Sequence, residues 1–352
     1  MKAARLHRYD ESIPKDSLTV EEIEEPKVEG PLDVIVRIGA AGLCRTDIHV
    51  VEGQWAPIQD PDGTLLPYVL GHENAGWVAE VGSAVTNVEV GDTVICHPVT
   101  TCGLCRACRA GDDMRCEYSE FPGLSRDGGF GELLKTNARA VVKLDPVLEP
   151  KQIAALADAG LTAYHAVRKS VPLLHAGTRA VVIGAGGLGH IGIQCLKALT
   201  PAEIIVTDPS EEALALAKDW GADHTVQVTD GYLDTVLEMT DGQGAEVVFD
   251  YVGERGAEDD AWQMTRPGGS HYVIGYGGTV EVPTIDIIST ERNVIGNLVG
   301  TYNDLAELMV LTAQGRVTLH TSTYPLDAVN DAMQDLKNGN LQGRGILIPA
   351  GG

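Results

Sequence analysis

The 352-residue chain is too long for one simple core and suits two domains, and its 44% apolar content is that of a globular protein rather than a disordered one. Fifty acidic residues stand against 26 basic ones, a formal net charge of −24. Such a surface repels nucleic acid and anionic membrane, so neither is expected as a partner, and it suits solubility at high salt. The opening "MKAARLHRYDES" mixes charges of both signs without an apolar run, so it does not read as a signal peptide. The longest apolar run, residues 180–199, is about long enough to span a bilayer, but His190, Gln194, Lys197 and several glycines interrupt it. A soluble strand–turn–helix fits it better, and the expected compartment is the reducing cytoplasm.

In chain order, residues 33–140 read as β-rich, with the short runs "DVIVRIG", "GWVAEV" and "DTVICHP" separated by Gly and Asp turns. From about residue 155 the period changes. "QIAALADAGLTAYHAVRKS" has a helical pattern; "AVVIG", "EIIVTD", "EVVFDYVG" and "SHYVIGYG" then read as strands, with "SEEALALAKDW" as a helix between two of them. This alternation predicts an α/β domain with a doubly wound parallel sheet covered by helices on both faces. From about residue 300 the chain returns to helix plus strand and ends in "GRGILIPA".

"TCGLCRACRAGDDMRC" concentrates four of the seven cysteines, Cys102, Cys105, Cys108 and Cys116, in a C-x2-C-x2-C-x7-C pattern. In a reducing compartment such a cluster reads as a metal site rather than as disulfides. Four thiolates from one loop close a tetrahedral Zn²⁺ shell with no open position, so this zinc is expected to be structural. An iron–sulfur cluster also uses four cysteines, but its run usually ends in Cys-Pro, and here Glu117 follows. Buried free thiols are a poor account of a segment carrying "GDDMR" and three arginines.

"VVIGAGGLGHIG" follows an apolar strand and opens a helix. Gly184, Gly186 and Gly189 satisfy G-x-G-x-x-G, with Gly187 and Leu188 in the same turn: a tight turn, close approach of backbone to pyrophosphate, and close helix–strand packing. The helix N-terminus supplies N–H groups for phosphates. Asp208 ends the next strand, 19 residues after Gly189, where a carboxylate can bind ribose hydroxyls; no Arg follows in "DPSEE". NAD is therefore expected over NADP.

A zinc that does chemistry needs about three protein ligands and a vacancy. "GLCRTDIH", residues 42–49, offers Cys44, and "GHENAG", residues 71–76, offers His72 and Glu73. Taken with the four-cysteine loop and the dinucleotide fingerprint, in this order, these motifs resemble the zinc-dependent medium-chain alcohol dehydrogenases over essentially the whole chain. The resemblance implies a GroES-like catalytic domain at 1–158, a Rossmann domain at 159–298, and a segment 299–352 returning to the catalytic domain, with the site in the cleft between domains. It implies two zincs per chain, the catalytic one held by Cys44, His72 and, in "ADAGLTAYHA", Asp158, where many members carry cysteine. Glu73 is then a near ligand able to enter the shell.

The same resemblance gives Asp47 the free ring N–H of His72. It makes Thr46 the contact for the alcohol proton and His49 the far end of a relay through the nicotinamide ribose. It directs Arg45, Arg344 and Thr162 to the cofactor, the two arginines to its pyrophosphate. Trp55, in the loop after Cys44, is a candidate pocket wall. The implied reaction is reversible NAD-linked oxidation of primary or, preferentially, secondary alcohols. Its rivals are a polyol or sugar dehydrogenase of similar machinery, a zinc-free quinone reductase, which lacks these ligands, and a non-catalytic NAD(H)- or zinc-binding protein. Chain length resembles that of the microbial, often tetrameric, branch, so a homo-oligomer is expected.

Overall fold

The computed structural model describes residues 1–341 and 343–349. Its strands in chain order are β1 (Lys2–Leu6), β2 (Leu18–Glu22), β3 (Asp33–Leu43), β4 (Tyr68–Val69), β5 (Glu73–Val81), β6 (Thr93–Cys96), β7 (Leu133–Asn137) and β8 (Val141–Lys143). Then come β9 (Arg179–Ile183), β10 (Glu203–Asp208), β11 (His224–Gln227), β12 (Ala245–Asp250), β13 (Thr265–Val273), β14 (Asn293–Gly296), β15 (Thr321–Pro325) and β16 (Arg344–Ile348). The chain divides into two units: Met1–Ala159 with Thr301–Ala313 and Thr318–Gly352, and Gly160–Gly300 with Gln314–Val317. These divisions lie one residue beyond the expected 158/159 boundary and two beyond 298/299. Residues 314–317, which the sequence reading kept with the tail, group with the second unit.

In the first unit β2-β1-β4 form a small sheet, and β15-β16-β3-β5-β6-β8 form a larger one with β7 also on β3. Its core is largely aliphatic, with Val34, Val36, Ile38 and Leu43 of β3 in one cluster with Val78, Val94, Leu347 and the aromatic Phe130. The antiparallel registers Gly42↔Glu73 and Leu43↔Gly345 align one end of three strands. Cys44 therefore follows a paired residue, while His72 and Arg344 each precede or occupy the adjoining position on a neighbouring strand. Three residues far apart in sequence are thus delivered to one sheet end.

The second unit is a six-stranded parallel sheet ordered β11-β10-β9-β12-β13-β14. Counted within the unit, that is 3-2-1-4-5-6, the doubly wound order whose ligand crevice lies at the carboxyl ends of the first and fourth strands. The run "SEEALALAKDW" forms the helix Glu211–Asp219, capped by Ser210 Oγ accepting from Ala213 N–H. The sequence reading did not mark β11 or β14; both are four residues long, too short for a clear period.

One expected helix is interrupted. "QIAALADAGLTAYHAVRKS" folds as Pro150–Ile153, a 3₁₀ turn Ala154–Ala157, and a helix Ala159–Ser170. Asp158 stands at the break with φ −124° and ψ −60°. The Ala159 N–H beyond it is given to Glu73 Oε1 at 3.0 Å. A tertiary acceptor therefore competes at the break, which apolar spacing alone does not reveal.

Candidate active site and metal centres

Cys44 caps the short helix Arg45–Val51. Asp47, three residues on, is fully buried, and its Oδ2 accepts the Cys44 N–H at 2.8 Å. Its Oδ1 lies 3.2 Å from His72 Nδ1. One carboxylate thus bonds the cysteine backbone and faces the histidine ring, the arrangement expected of a group that orients metal ligands from behind. On the other side of the ring, His72 Nε2 is 3.5 Å from Asp158 Oδ2. The imidazole is 1% exposed, and neither nitrogen completes a hydrogen bond among the described residues. Phe121, which the sequence reading did not single out, packs edge-on against it with centroids 5.9 Å apart.

The donor atoms of Cys44, His72, Glu73 and Asp158 all lie within 4.8 Å of one another. A thiol, an imidazole and two carboxylates this close are soft and hard donors of the kind Zn²⁺ takes. Electrostatics point the same way. Burial alone pushes the His72 pKa down, yet Asp47 above all, with Asp158 and Cys44, holds it well above its ordinary value. The cluster therefore attracts positive charge. The residues fit a catalytic zinc.

Glu73 is fully buried, and both its oxygens are engaged: Oε1 by Ala159 N–H at 3.0 Å, Oε2 by Arg344 Nη2 at 2.5 Å. Burial raises its pKa, and Arg344 opposes that rise. A Cβ on its cross-strand partner Gly42 would collide with Glu73 and with Ala155. The glycine of "GLC" therefore makes room for this carboxylate. Arg344, expected at the pyrophosphate, is only 4% exposed and is committed to Glu73. That bond is absent from the sequence reading because β16 meets β5 only through β3.

Arg45 is exposed at the first turn of its helix, and Thr46 is half-buried. His49, a turn on from Thr46, holds a partner that sequence reasoning missed: its Nδ1 is 3.0 Å from Glu52 Oε2. The spacing His49-x-x-Glu52 was the available signal, since side chains three apart meet on a helix. Trp55 packs half-buried against the core of this unit.

In the cysteine loop, the sulfurs of Cys102, Cys105, Cys108 and Cys116 also lie within 4.8 Å of one another. Cys102 Sγ accepts N–H groups from Leu104 and Cys105 at 3.4 and 3.3 Å, and Cys116 Sγ accepts from Cys102 and Tyr118 at 3.3 and 3.4 Å. N–H groups of Cys108 and Glu117 pull the Cys105 thiol down to about 6, whereas burial pushes Cys108 up to about 12. Donors aimed at sulfur favour thiolates, the form that binds metal. This loop fits a closed structural zinc.

In the second unit, Gly184 follows β9 with φ +88°, a conformation that favours glycine. A Cβ on Gly189 would strike the Gly184 carbonyl, whereas one on Gly186 would meet nothing within 4 Å. Gly184 and Gly189 close the turn; Gly186, the second glycine of the motif, leaves open space of the kind a pyrophosphate needs. Gly187 lies in the turn and Leu188 caps the helix Gly189–Leu199. Asp208, at the end of β10, accepts the Ala185 N–H at 2.8 Å and the Ser210 N–H at 2.8 Å. These bonds hold its carboxylate beside the glycine turn. Thr162 is 9% exposed in the first turn of its helix, its carbonyl bonded by Asn297. These residues fit a dinucleotide.

The chain matches the family model described as "Alcohol dehydrogenase GroES-like domain" over residues 30–146 and that described as "Zinc-binding dehydrogenase" over 187–314. It resembles the crystal structure of the alcohol dehydrogenase from the hyperthermophilic archaeon Aeropyrum pernix, with TM-score 0.93 and 45% identity, covering 99% of this chain and 100% of that one. An NAD-dependent alcohol dehydrogenase from Sulfolobus acidocaldarius is 33% identical over 99% of both chains. A D-arabinose 1-dehydrogenase (NADP(+)) from Saccharolobus solfataricus is 33% identical over 99% of this chain and 97% of its own. A buried Cys–His–carboxylate cluster, a four-cysteine loop and a dinucleotide turn, on a fold shared end to end with these enzymes, have one common source: the chain belongs to the zinc-type medium-chain alcohol dehydrogenases, a family of oxidoreductases.

Proposed function

We propose that the protein catalyses reversible NAD-linked oxidation of alcohols, secondary in preference to primary, to ketones and aldehydes. The observation that carries this reading is the buried donor cluster of Cys44, His72, Glu73 and Asp158, backed by Asp47. Cys44, His72 and Asp158 hold the catalytic zinc, and Cys102, Cys105, Cys108 and Cys116 the structural one. Zinc, when bound, supplies Lewis acidity toward a hydroxyl group, and the dinucleotide supplies the hydride acceptor. Asp47 orients His72; Glu73, held by Arg344, adds a compensated negative charge behind the ligands. The Thr46 hydroxyl takes the alcohol proton and His49 receives it at the end of the relay.

Gly184, Gly186, Gly187, Leu188 and Gly189 bind the pyrophosphate through backbone. Arg45 is the candidate cation for it, Arg344 being committed to Glu73, and Thr162 is a further cofactor contact. Asp208 takes the ribose hydroxyls and disfavours a 2′-phosphate by charge. A second copy of the chain is the expected partner, with a tetramer favoured. β14 is paired on one side only among the described residues, and Val294, Ile285, Ile288 and Leu298 nearby are 43%, 65%, 71% and 63% exposed. An unpaired edge flanked by apolar side chains favours association. The cytoplasm is the proposed location; among the described residues no helix is long and apolar enough to cross a membrane.

The test is NADH formation by zinc-replete protein with matched alcohols, from ethanol and 2-propanol to 1-phenylethanol, beside a polyol and an aldose. Turnover of secondary alcohols above primary ones is expected. Turnover of aldose or polyol alone would establish the sugar-dehydrogenase reading, which the arabinose-oxidising relative favours. NADH binding with no turnover of any of them would overturn both.

A further inference from the structure

The helix Arg45–Val51 is followed by Glu52, whose side chain folds back over the last turn. Its Oε2 lies 3.0 Å from His49 Nδ1 and also accepts Gln54 Nε2 at 2.7 Å. The two side chains of the pair are 14% and 22% exposed, shielded enough that the bond competes with water. An ionised carboxylate has no proton to give, so the ring nitrogen facing it must carry the N–H. A neutral imidazole carries one proton, and its other nitrogen then keeps the lone pair. The contact with Glu52 thus favours the tautomer of His49 that carries its proton on Nδ1 and leaves Nε2 as the basic atom. Gln54 restrains the carboxylate that makes the selection.

We propose that Glu52 is the positioning residue for His49, holding Nδ1–H so that Nε2 is reserved for the proton released in alcohol oxidation. The inference rests on the reading of His49 as the end of the relay. The proton balance would be complete: the alcohol O–H proton would leave by way of the Thr46 hydroxyl toward Nε2 and then to solvent, and a bound dinucleotide would supply the acceptor for the carbon-bound hydrogen and its electron pair. Glu52 exchanges no proton with the substrate. It orients the ring and stabilises the imidazolium formed when Nε2 is protonated, as a carboxylate does behind a histidine base.

Two measurements test this. The first compares single-turnover NADH formation in wild type, Glu52→Ala, Glu52→Asp, His49→Gln and the Glu52→Ala/His49→Gln double variant. General-base catalysis contributes roughly 10²–10⁴-fold, and losing the orientation should forfeit about tenfold of it in Glu52→Ala, with less loss in Glu52→Asp. KM for NAD and zinc content should stay at wild-type values. In the His49→Gln background the Glu52→Ala change should alter the rate by less than about twofold, because its target is gone. An equal fall in both backgrounds would overturn the proposal, as would a wild-type rate in Glu52→Ala beside a slowed His49→Gln. An unaltered rate in His49→Gln would remove the relay reading itself, a distinguishable failure.

The second measurement needs no turnover. Ring ¹⁵N shifts of labelled histidine, with His49 assigned by its loss in His49→Gln, should show the Nδ1–H tautomer in wild type and a shift toward Nε2–H in Glu52→Ala. A wild-type Nε2–H tautomer would overturn the proposal.

Discussion

Arg344 Nη2 donates to Glu73 Oε2 at 2.5 Å, across 271 residues of sequence, with the arginine 5% and the glutamate 0% exposed at their side chains. Glu73 is itself one of the four clustered donors, so the charges of the pair are compensated where water cannot reach them. Removing one partner of such a pair strands the other. Arg344→Met is expected to destabilise the unit by about 3–5 kcal/mol, and adding Glu73→Gln should recover much of that loss. Urea unfolding of the two variants measures both. Equal stability of Arg344→Met and wild type would show that the pair is not energetically coupled.

Asp158 faces His72 Nε2 at 3.5 Å from a break in the helix, not from a solvated helix face. Asp158→Ala should lose about one of two zincs while NADH binding survives, because the dinucleotide turn lies in the other unit. Metal analysis and NADH fluorescence titration read this directly. Retention of both zincs would remove Asp158 from the ligand set.

The four-cysteine loop predicts the opposite pattern. Backbone N–H groups draw the Cys105 thiol down to about 6, toward the thiolate that binds metal. Cys105→Ser should release the structural zinc and lower thermal stability, since a structural site contributes folding free energy. A melting temperature equal to that of wild type would count against a structural role.

Asp208 is held beside the glycine turn by the Ala185 and Ser210 N–H groups. Replacing it by Ser removes the charge that opposes a 2′-phosphate while keeping a short polar side chain. The preference for NAD over NADP, measured as the ratio of kcat/KM values, should fall by about tenfold or more, equivalent to about 1.4 kcal/mol. An unaltered ratio would place the discrimination elsewhere.

The charge of −24 carries a prediction of its own. Many like charges repel in the folded state, and salt screens them over a Debye length of about 3 Å at 1 M. Thermal stability should therefore rise with molar salt. A flat or falling curve in a salt titration would detach the acidic surface from salt adaptation.

The chemistry was largely legible in the chain because each motif is local. Cys102, Cys105, Cys108 and Cys116 fit one loop, and Gly184, Gly186 and Gly189 one turn, so spacing alone brings their atoms together. Cys44 and Asp47 share a helix start. Asp158 could be picked out by its motif but was read inside a continuous helix, because nothing in apolar periodicity shows that Glu73 will take the Ala159 N–H. Glu52 stood at helical spacing from His49, yet such pairs are common and the sequence did not single it out.

What the sequence by itself determined was the inventory: metal donors of the right type, a phosphate turn, an acid at the end of the following strand, and the alternation that builds a parallel sheet. The tertiary structure decided the partnerships. Register places Gly42 opposite Glu73 and Leu43 opposite Gly345, and that pairing turns Arg344 from a candidate cofactor contact into the buried counter-charge of Glu73. Strand order and register are set by long-range packing and backbone hydrogen bonding, and no local stretch of sequence encodes which charge will be buried against which.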